Sequence, residues 1–374
     1  MTLSERDAYI TLNLIPDIGP VTVRALAEAL GGPVARILEV DPRRLPSVRG
    51  VGPVIVERLA AARRRGGLAA AEEARAAARG IRIVTPADSD YPDPFRSLHD
   101  PPLALYLKGA WQQKDRKAVA LVGSRHTTTY GRTVAVRLAA DLVRAGFTVV
   151  SGLARGIDTC AHRGALEAGG RTLAVLGGGL HDIYPPENRE LAEAVAQNGA
   201  LMTEFPIGRE PDKTTFPYRN RLVSGLSQAV VVVEASRTSG ALITARFAAD
   251  QGRSVLAVPG RIDNPLAQGA HELIRQGARL VEGIEDILDE LGALFHGAAP
   301  TLRSQGEKGD SMGDLTEEER CVLSLLTDEE PLDADTLVRR SAMPPGSVSA
   351  ALLTLEMKGR VRLLPGRMIE RLTH

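Results

Sequence analysis

The chain is short of several things, and each shortage removes a class of answer. Only two cysteines, Cys160 and Cys321, occur in 374 residues. They lie far apart and outside any metal-ligand spacing, so neither a disulfide framework nor a cysteine-built metal centre is written into the sequence. Two unpaired thiols suit a reducing cytoplasm. Charge of one sign is also missing, with 46 Lys and Arg against 46 Asp and Glu. A broadly basic, histone-like protein is thereby excluded, and any contact with nucleic acid must come from a local cluster. No uncharged run reaches membrane-spanning length, and the opening MTLSERDAYI carries charges where a signal peptide needs an apolar core. A soluble cytoplasmic protein with no membrane insertion is expected.

What is present is a substantial apolar fraction, 44%, and 37 glycines. That is enough to fill a real core between many tight turns, and the length predicts two or three domains. Residues 1–80 read as helices. Within them IPDIGPVTVRALAEAL and VRGVGPVIVERLAAAR repeat one pattern, an apolar residue, Gly, Pro and Val leading into an amphipathic helix. Two readings fit residues 1–80: a helix-hairpin-helix or SAM-like unit whose turns offer backbone N–H groups to DNA phosphate, or a plain helical bundle. Residues 81–295 change rhythm. KAVALVGS, FTVVSG, RTLAVLGGG, GALMTEFP, QAVVVVEA, RSVLAVPG and ARLVEG alternate with helical stretches such as YGRTVAVRLAADLVRAG and ALITARFAADQG. Near-continuous apolar strands separated by helices predict an α/β fold, a Rossmann-like parallel sheet buried on both faces. Residues 296–314 are small and polar and read as a linker. Residues 315–374 give three short helices and a hairpin with a Pro-Gly turn, a winged helix that serves either DNA or protein packing. Its third helix ends in only two cations, Lys358 and Arg360.

In a doubly wound sheet, ligands bind beyond the carboxyl ends of the strands. Three such ends carry polar, glycine-rich turns: Gly123, Ser124 and Arg125; Gly152, Arg155 and Gly156; Ser239 and Gly240. Glycines admit a ligand close to the backbone, and helix starts favour anions. Nucleotide-enzyme signatures fail on detail. SGLARGID is not G-x-G-x-x-G, no acidic ribose ligand follows at the right distance, and there is no Walker lysine motif. The stretch EPDKTTFPYRNRLVSG adds Lys213, Phe216, Arg219, Asn220 and Arg221. Pro217 suits the first turn of a helix, which would place Arg219 and Asn220 there too. Arginine gains nothing from the dipole at that end, so its partner is either phosphate or a buried carboxylate such as Glu204 or Glu234. Lys213 beside Phe216 supplies a cation and a stacking ring. Together these residues describe a groove for single-stranded nucleic acid.

At this point LVGSR, SGLARGIDTCAHRGALEAGGRTLAVLGGGLHDIYPPEN, FPYRNRLVSGLS, SGALITA and AVPG resemble the DNA-processing protein A family (DprA, also called Smf). The likeness runs over roughly residues 90 to 290. It implies a cytoplasmic, cofactor-free, usually dimeric protein that binds incoming single-stranded DNA during natural transformation. It also implies protection of that strand and loading of the RecA recombinase onto it, past single-strand-binding protein. The family pocket maps onto the residues named above, with Arg221 equally readable as a structural partner. A homodimer is expected through His271, Ile274 and Leu280. Leu273 packs on the sheet in that reading, and Ile274 points outward beside His271. The rival is a Rossmann-like nucleotide phosphoribohydrolase, but SRTSGALITA carries Ala241, Leu242 and Ile243 where a catalytic carboxylate is needed. A binding protein without catalytic activity is the favoured reading.

Overall fold

The computed structural model describes residues 3–292, apart from 46, 47 and 49, and much of 316–371. The chain divides into two compact units, Met1–Pro300 and Thr301–His374. The first unit opens with α1 (Glu5–Asn13), α2 (Pro20–Leu30), α3 (Arg36–Glu39), α4 (Pro53–Arg65) and α5 (Leu68–Ala77). Both glycine-proline phrases become helix starts. Gly19 and Gly52 are the N-caps of α2 and α4, and Pro20 and Pro53 fill the first turn, where a missing N–H costs nothing. Val23, Leu26, Ile55 and Leu59 bury the apolar faces of these helices against Leu12 and Ile37. α5 faces elsewhere. Its Ala69 and Ala76 join a cluster with Ile83, Tyr106 and Leu201 of the sheet.

The sheet comprises β1 (Arg82–Val84), β2 (Leu105–Gly109), β3 (Ala118–Val122), β4 (Thr148–Ser151), β5 (Thr172–Val175), β6 (Ala200–Thr203), β7 (Ala229–Val232), β8 (Ser254–Ala257) and β9 (Arg279–Leu280). A short α6 (Asp93–Arg96) lies between β1 and β2. From β3 onward the strands alternate with α7 (Thr129–Arg144), α8 (Ile157–Glu167), α9 (Arg189–Asn198), α10 (Thr215–Gly225), α11 (Ala241–Asp250), α12 (Gln268–Arg275) and α13 (Ile284–Gly292). The strand order is β1-β2-β6-β5-β4-β3-β7-β8-β9. Pairing is parallel from β6 through β9, as the unbroken apolar runs predict. β1 and β2 add an antiparallel edge that was not read from the sequence. Every residue of β3 and β7 is buried. One face of the sheet packs Leu222, Val223 and Ala245 of α10 and α11, and the other packs Leu138, Leu142 and Ala161 of α7 and α8.

The winding reverses at β3. β4, β5 and β6 extend the sheet to one side, while β7, β8 and β9 extend it to the other. Loops leaving β3 and β7 therefore diverge onto opposite faces, which opens a crevice at their carboxyl ends.

In the second unit, α14 (Glu317–Leu325) starts with a capping box between Thr316 and Glu319. β10 (Leu332–Asp333) and α15 (Ala334–Ser341) follow, and the described positions between 347 and 355 are helical. β11 (Val361–Leu364) pairs antiparallel with β12 (Met368–Arg371), and β10 adds a third strand to β12. Val322, Leu337, Leu352, Val361 and Ile369 form its core. Three helices and a hairpin make the expected winged helix. The 296–314 linker, the Pro-Gly turn and Lys358 lie outside the described residues. Among the described residues no helix is long and apolar enough to cross a membrane.

Candidate nucleic-acid interface

A cavity of about 590 Å³ occupies the crevice at the switch point. The β3 loop contributes Gly123, Ser124 and Arg125, and the β4 loop contributes Gly152 and Ala154. The β7 loop supplies Ser236, Ser239 and Gly240, and Lys213, Phe216, Arg219 and Asn220 come from α10 and the residues before it. Most of the residues singled out by sequence are thus drawn to one place, from four separate segments.

One wall is aromatic and cationic. The Arg125 guanidinium carbon lies 4.8 Å from the centre of the Phe216 ring. The Tyr184 ring stands 5.8 Å from Phe216, tilted by 44°. Arg155 lies 5.9 Å over the Tyr184 ring and pairs with Glu187. Phe216 rests against the β5 loop, where a Cβ on Gly177 would stand 2.8 Å from its Cδ1. Cations beside exposed π-faces are what a groove needs to hold a phosphodiester chain and stack its bases. Tyr184, in the HDIYPPEN stretch, is a lining residue that the sequence does not mark out. It sits in an irregular loop whose course is set only by tertiary packing.

The start of α11 also lines the cavity. Gly240 is its N-cap, and a Cβ built there meets nothing within 4 Å, so the helix end stays open to the cavity. The Asn220 amide donates to the Gly240 carbonyl at 3.2 Å, which ties α10 to this turn. The Ser239 hydroxyl accepts from the Ala241 N–H at 3.3 Å. The positive end of the dipole of this 10-residue helix thus faces the same space as the cations. Lys213 stands exposed at the mouth. Among the described residues it has no hydrogen-bonded or ionic partner.

The other arginines answer to the protein itself. α10 begins at Thr215, two residues before Pro217. The Asp212 carboxylate accepts the Thr214 hydroxyl at 2.5 Å and the N–H groups of Thr214 and Thr215 at 2.7 and 3.0 Å, and the hydroxyl first, then the two N–H groups, pull its pKa down to about 2. Arg219 therefore lies in the second turn rather than the first. It is buried, donating to the Gly152 carbonyl at 2.7 Å and to the Val175 carbonyl. Burial pushes its pKa down to about 10, reinforced by Arg125 and opposed by Asp158. The side chain lines the cavity, while its Nε is buried without a partner among the described residues. Arg221 is not brought to the cavity. It lies buried between Asp100, at 3.0 Å, and Glu204, with its guanidinium 4.3 Å from the Tyr218 ring. Glu204 is thus one of the two carboxylates expected for these arginines. Glu234, the other, instead accepts the Thr128 N–H at 2.9 Å and the hydroxyls of Thr127 and Thr128 at 2.6 Å each, which fixes the β3 loop.

The β4 turn is also more occupied than its sequence suggests. The carboxylate of Asp158, in the first turn of α8, accepts the N–H groups of Gly152 and Ala154 at 3.1 and 3.3 Å, so those donors are not left for an anion. Desolvation pushes the Asp158 pKa up, against the pull of Arg219 and these N–H groups. Gly156 has φ +77°, and a Cβ there would strike the Ser124 carbonyl. Its role is to let the β3 and β4 loops touch. Gly156 is not among the residues lining the cavity, and Arg155 lines only a small side recess with Tyr184 and Phe216.

The residues expected at a self-association face sit at the far edge of the sheet. His271 Nε2 bonds to the Gly260 carbonyl at 2.9 Å, and Leu273 packs into the core. Ile274 is half-buried and Leu280, on the edge strand β9, is exposed.

A doubly wound sheet with a cationic and aromatic cavity at its switch point, followed by a winged helix, defines a Rossmann-like protein with a C-terminal winged-helix module. Known proteins narrow that class. Residues 82–292 match the model of the DNA recombination-mediator protein A family, and residues 307–367 match the DprA winged helix domain. The chain is 33% identical to Protein Smf of Synechocystis sp. over 99% of its own length and 100% of that protein. It is 44% identical to DNA processing protein DprA of Bacillus subtilis, over 57% of this chain and 72% of that one. The crystal structure of DprA from Streptococcus pneumoniae superposes with a TM-score of 0.64 at 29% identity, covering 78% of this chain and 99% of that one. A structure of DNA processing protein A from Helicobacter pylori, concerned with its single-stranded DNA binding mode, superposes with a TM-score of 0.51 at 30% identity, over 58% and 97%. This chain belongs to the DprA/Smf family.

Proposed function

We propose that this protein binds single-stranded DNA in the switch-point cavity and acts in DNA recombination. The observation that carries the reading is the wall in which Arg125, Phe216, Tyr184 and Arg155 interleave charge and ring, in a cavity that the start of α11 also lines. Phosphates sit against Arg125, Lys213 and the helix start, while bases stack on the two rings. Membership of the family, and the single-strand binding described for the Helicobacter pylori relative, support it. In this reading the protein is a cytoplasmic homodimer joined through His271, Ile274 and Leu280. It protects a strand and passes it to RecA past single-strand-binding protein, without a cofactor and without catalysing a reaction. Asp158 is the one carboxylate among the described residues lining the cavity, and its Oδ2 accepts two backbone N–H groups, which disfavours a glycosidic hydrolase.

Titration of labelled single- and double-stranded oligonucleotides across a salt series tests this. Single strands should bind more tightly, and Lys213→Ala should lower the salt slope by about one contact. Release of free base from nucleoside monophosphates, with no retention of single strands, would replace the reading by the hydrolase one.

A further inference from the structure

The N-terminal helices present a charged surface that the cavity does not use. Arg36, Arg43, Arg44, Arg63, Arg64 and Arg65 are all exposed. Among the described residues none of them has an ion-pair partner. The exposed carboxylates of the same stretch are Glu39, Asp41 and Glu57. Asp41 is engaged in accepting the Arg43 N–H at 3.0 Å, and Arg58 is already paired with Asp17. A chain that is balanced at 46 against 46 overall therefore concentrates a cationic excess here.

The elements that carry these arginines pack together. The 3₁₀ turn Pro42–Arg44 and α3 both pack against α4. α4 has 13 residues, about 20 Å at 1.5 Å per residue, which matches roughly six base pairs of a duplex at about 3.4 Å each. Residues 36–66 contain no Phe, Tyr or Trp. A single-strand site couples cations to stacking rings; cations without rings address phosphate alone, and a duplex offers phosphates at the highest density. At the starts of α2 and α4 the N-caps are glycines without side-chain hydrogen bonds. Among the described residues the N–H groups of Val21 and Val54, just inside them, have no backbone acceptor. Val21 and Val54 are themselves exposed, so these turns are accessible.

We infer that the surface built by the 42–44 turn and α4 binds the phosphate backbone of duplex DNA, independently of sequence and of the cavity. The full chain is tested by mobility shift with a blunt duplex of about 20 base pairs and with a short single strand, from about 50 mM salt upward. Two variants are compared: Arg43→Ala with Arg44→Ala, and Arg63→Glu with Arg64→Glu and Arg65→Glu. The duplex salt slope should fall by about two in the first and by about three in the second. Short single-strand affinity and thermal melting should stay at wild-type values. Three results would each overturn the inference: no duplex shift by the wild type at the lowest salt, duplex binding unchanged in both variants, or parallel loss of duplex and single strand. Lys213→Ala separates the two sites, since it should weaken the single strand and leave the duplex bound even if the cavity reading fails.

Discussion

Phe216→Ala isolates what stacking contributes to the cavity. The ring is braced by Arg125 at 4.8 Å, Tyr184 at 5.8 Å and the Gly177 backbone behind it, so it is already oriented before a base arrives. Losing one base–aromatic stack costs about 1–3 kcal/mol, which is roughly 5- to 150-fold in Kd. The Arg125 guanidinium also loses its platform, a further effect of about 0.5–1 kcal/mol at an exposed site. The ring carries no charge, so the plot of log K against log salt should drop without changing slope. Fluorescence anisotropy of a labelled oligonucleotide, read between about 50 and 200 mM salt, separates the two quantities. Phe216→Leu should recover little, because it restores apolar volume and not a π-face. Wild-type affinity in a folded Phe216→Ala protein, or a loss that appears wholly as a reduced salt slope, would refute the stacking role.

Three further outcomes follow from the same structure. His162 is fully buried on Thr172, with Nδ1 2.7 Å from its hydroxyl, and burial pushes its pKa down from 6.5 to about 3. The unfolded chain therefore takes up a proton below pH 6.5 that the folded one refuses, so this group costs stability by about 1.4 kcal/mol per pH unit as pH falls towards 3. Glu204, pushed up to about 7 by burial, titrates with the opposite sign between about pH 7 and 4.5. The test is accordingly a comparison of urea unfolding at pH 7 and pH 5, in which His162→Asn should lose about 2 kcal/mol less than wild type; equal losses would contradict it. Arg221→Ala strands Glu204 and Asp100 and should destabilise by about 3–5 kcal/mol above pH 8, and by less at pH 6, where Glu204 is protonated instead. Urea unfolding at the two values checks both size and trend. Charged replacements at Ile274 and Leu280 should yield a folded monomer by sedimentation that binds long strands less well and short ones unchanged; a persistent dimer would place the interface elsewhere.

The parallel core was legible because burial on both faces writes strands such as AVALV and AVVV as unbroken apolar runs, and because Gly146 and Gly252 follow the helices between them. Together with the turn residues, this also located the cavity. The antiparallel edge was not legible: Arg82–Val84 has only 3 residues, and Leu105–Gly109 pairs with β6, a segment distant in sequence. The fate of the arginines was only half readable. FPYRNRL shows that Arg219 and Arg221 need partners, but two residues apart on a helix they face different ways. One reaches strand-end carbonyls and the other Glu204 and Asp100. Glycine roles were hidden for the same reason, since the collision that Gly156 avoids is with a loop some thirty residues earlier.

The central claim is that a single strand lies in the switch-point cavity against the Phe216–Tyr184 wall. Photocrosslinking of a 5-bromouracil-substituted single strand to the full-length protein, followed by peptide mass spectrometry, reads the contact directly. The predicted result is adducts on Phe216 or Tyr184 that disappear when excess unlabelled single strand competes. Competed adducts confined to residues outside the cavity, with none on the residues that line it, would contradict the account.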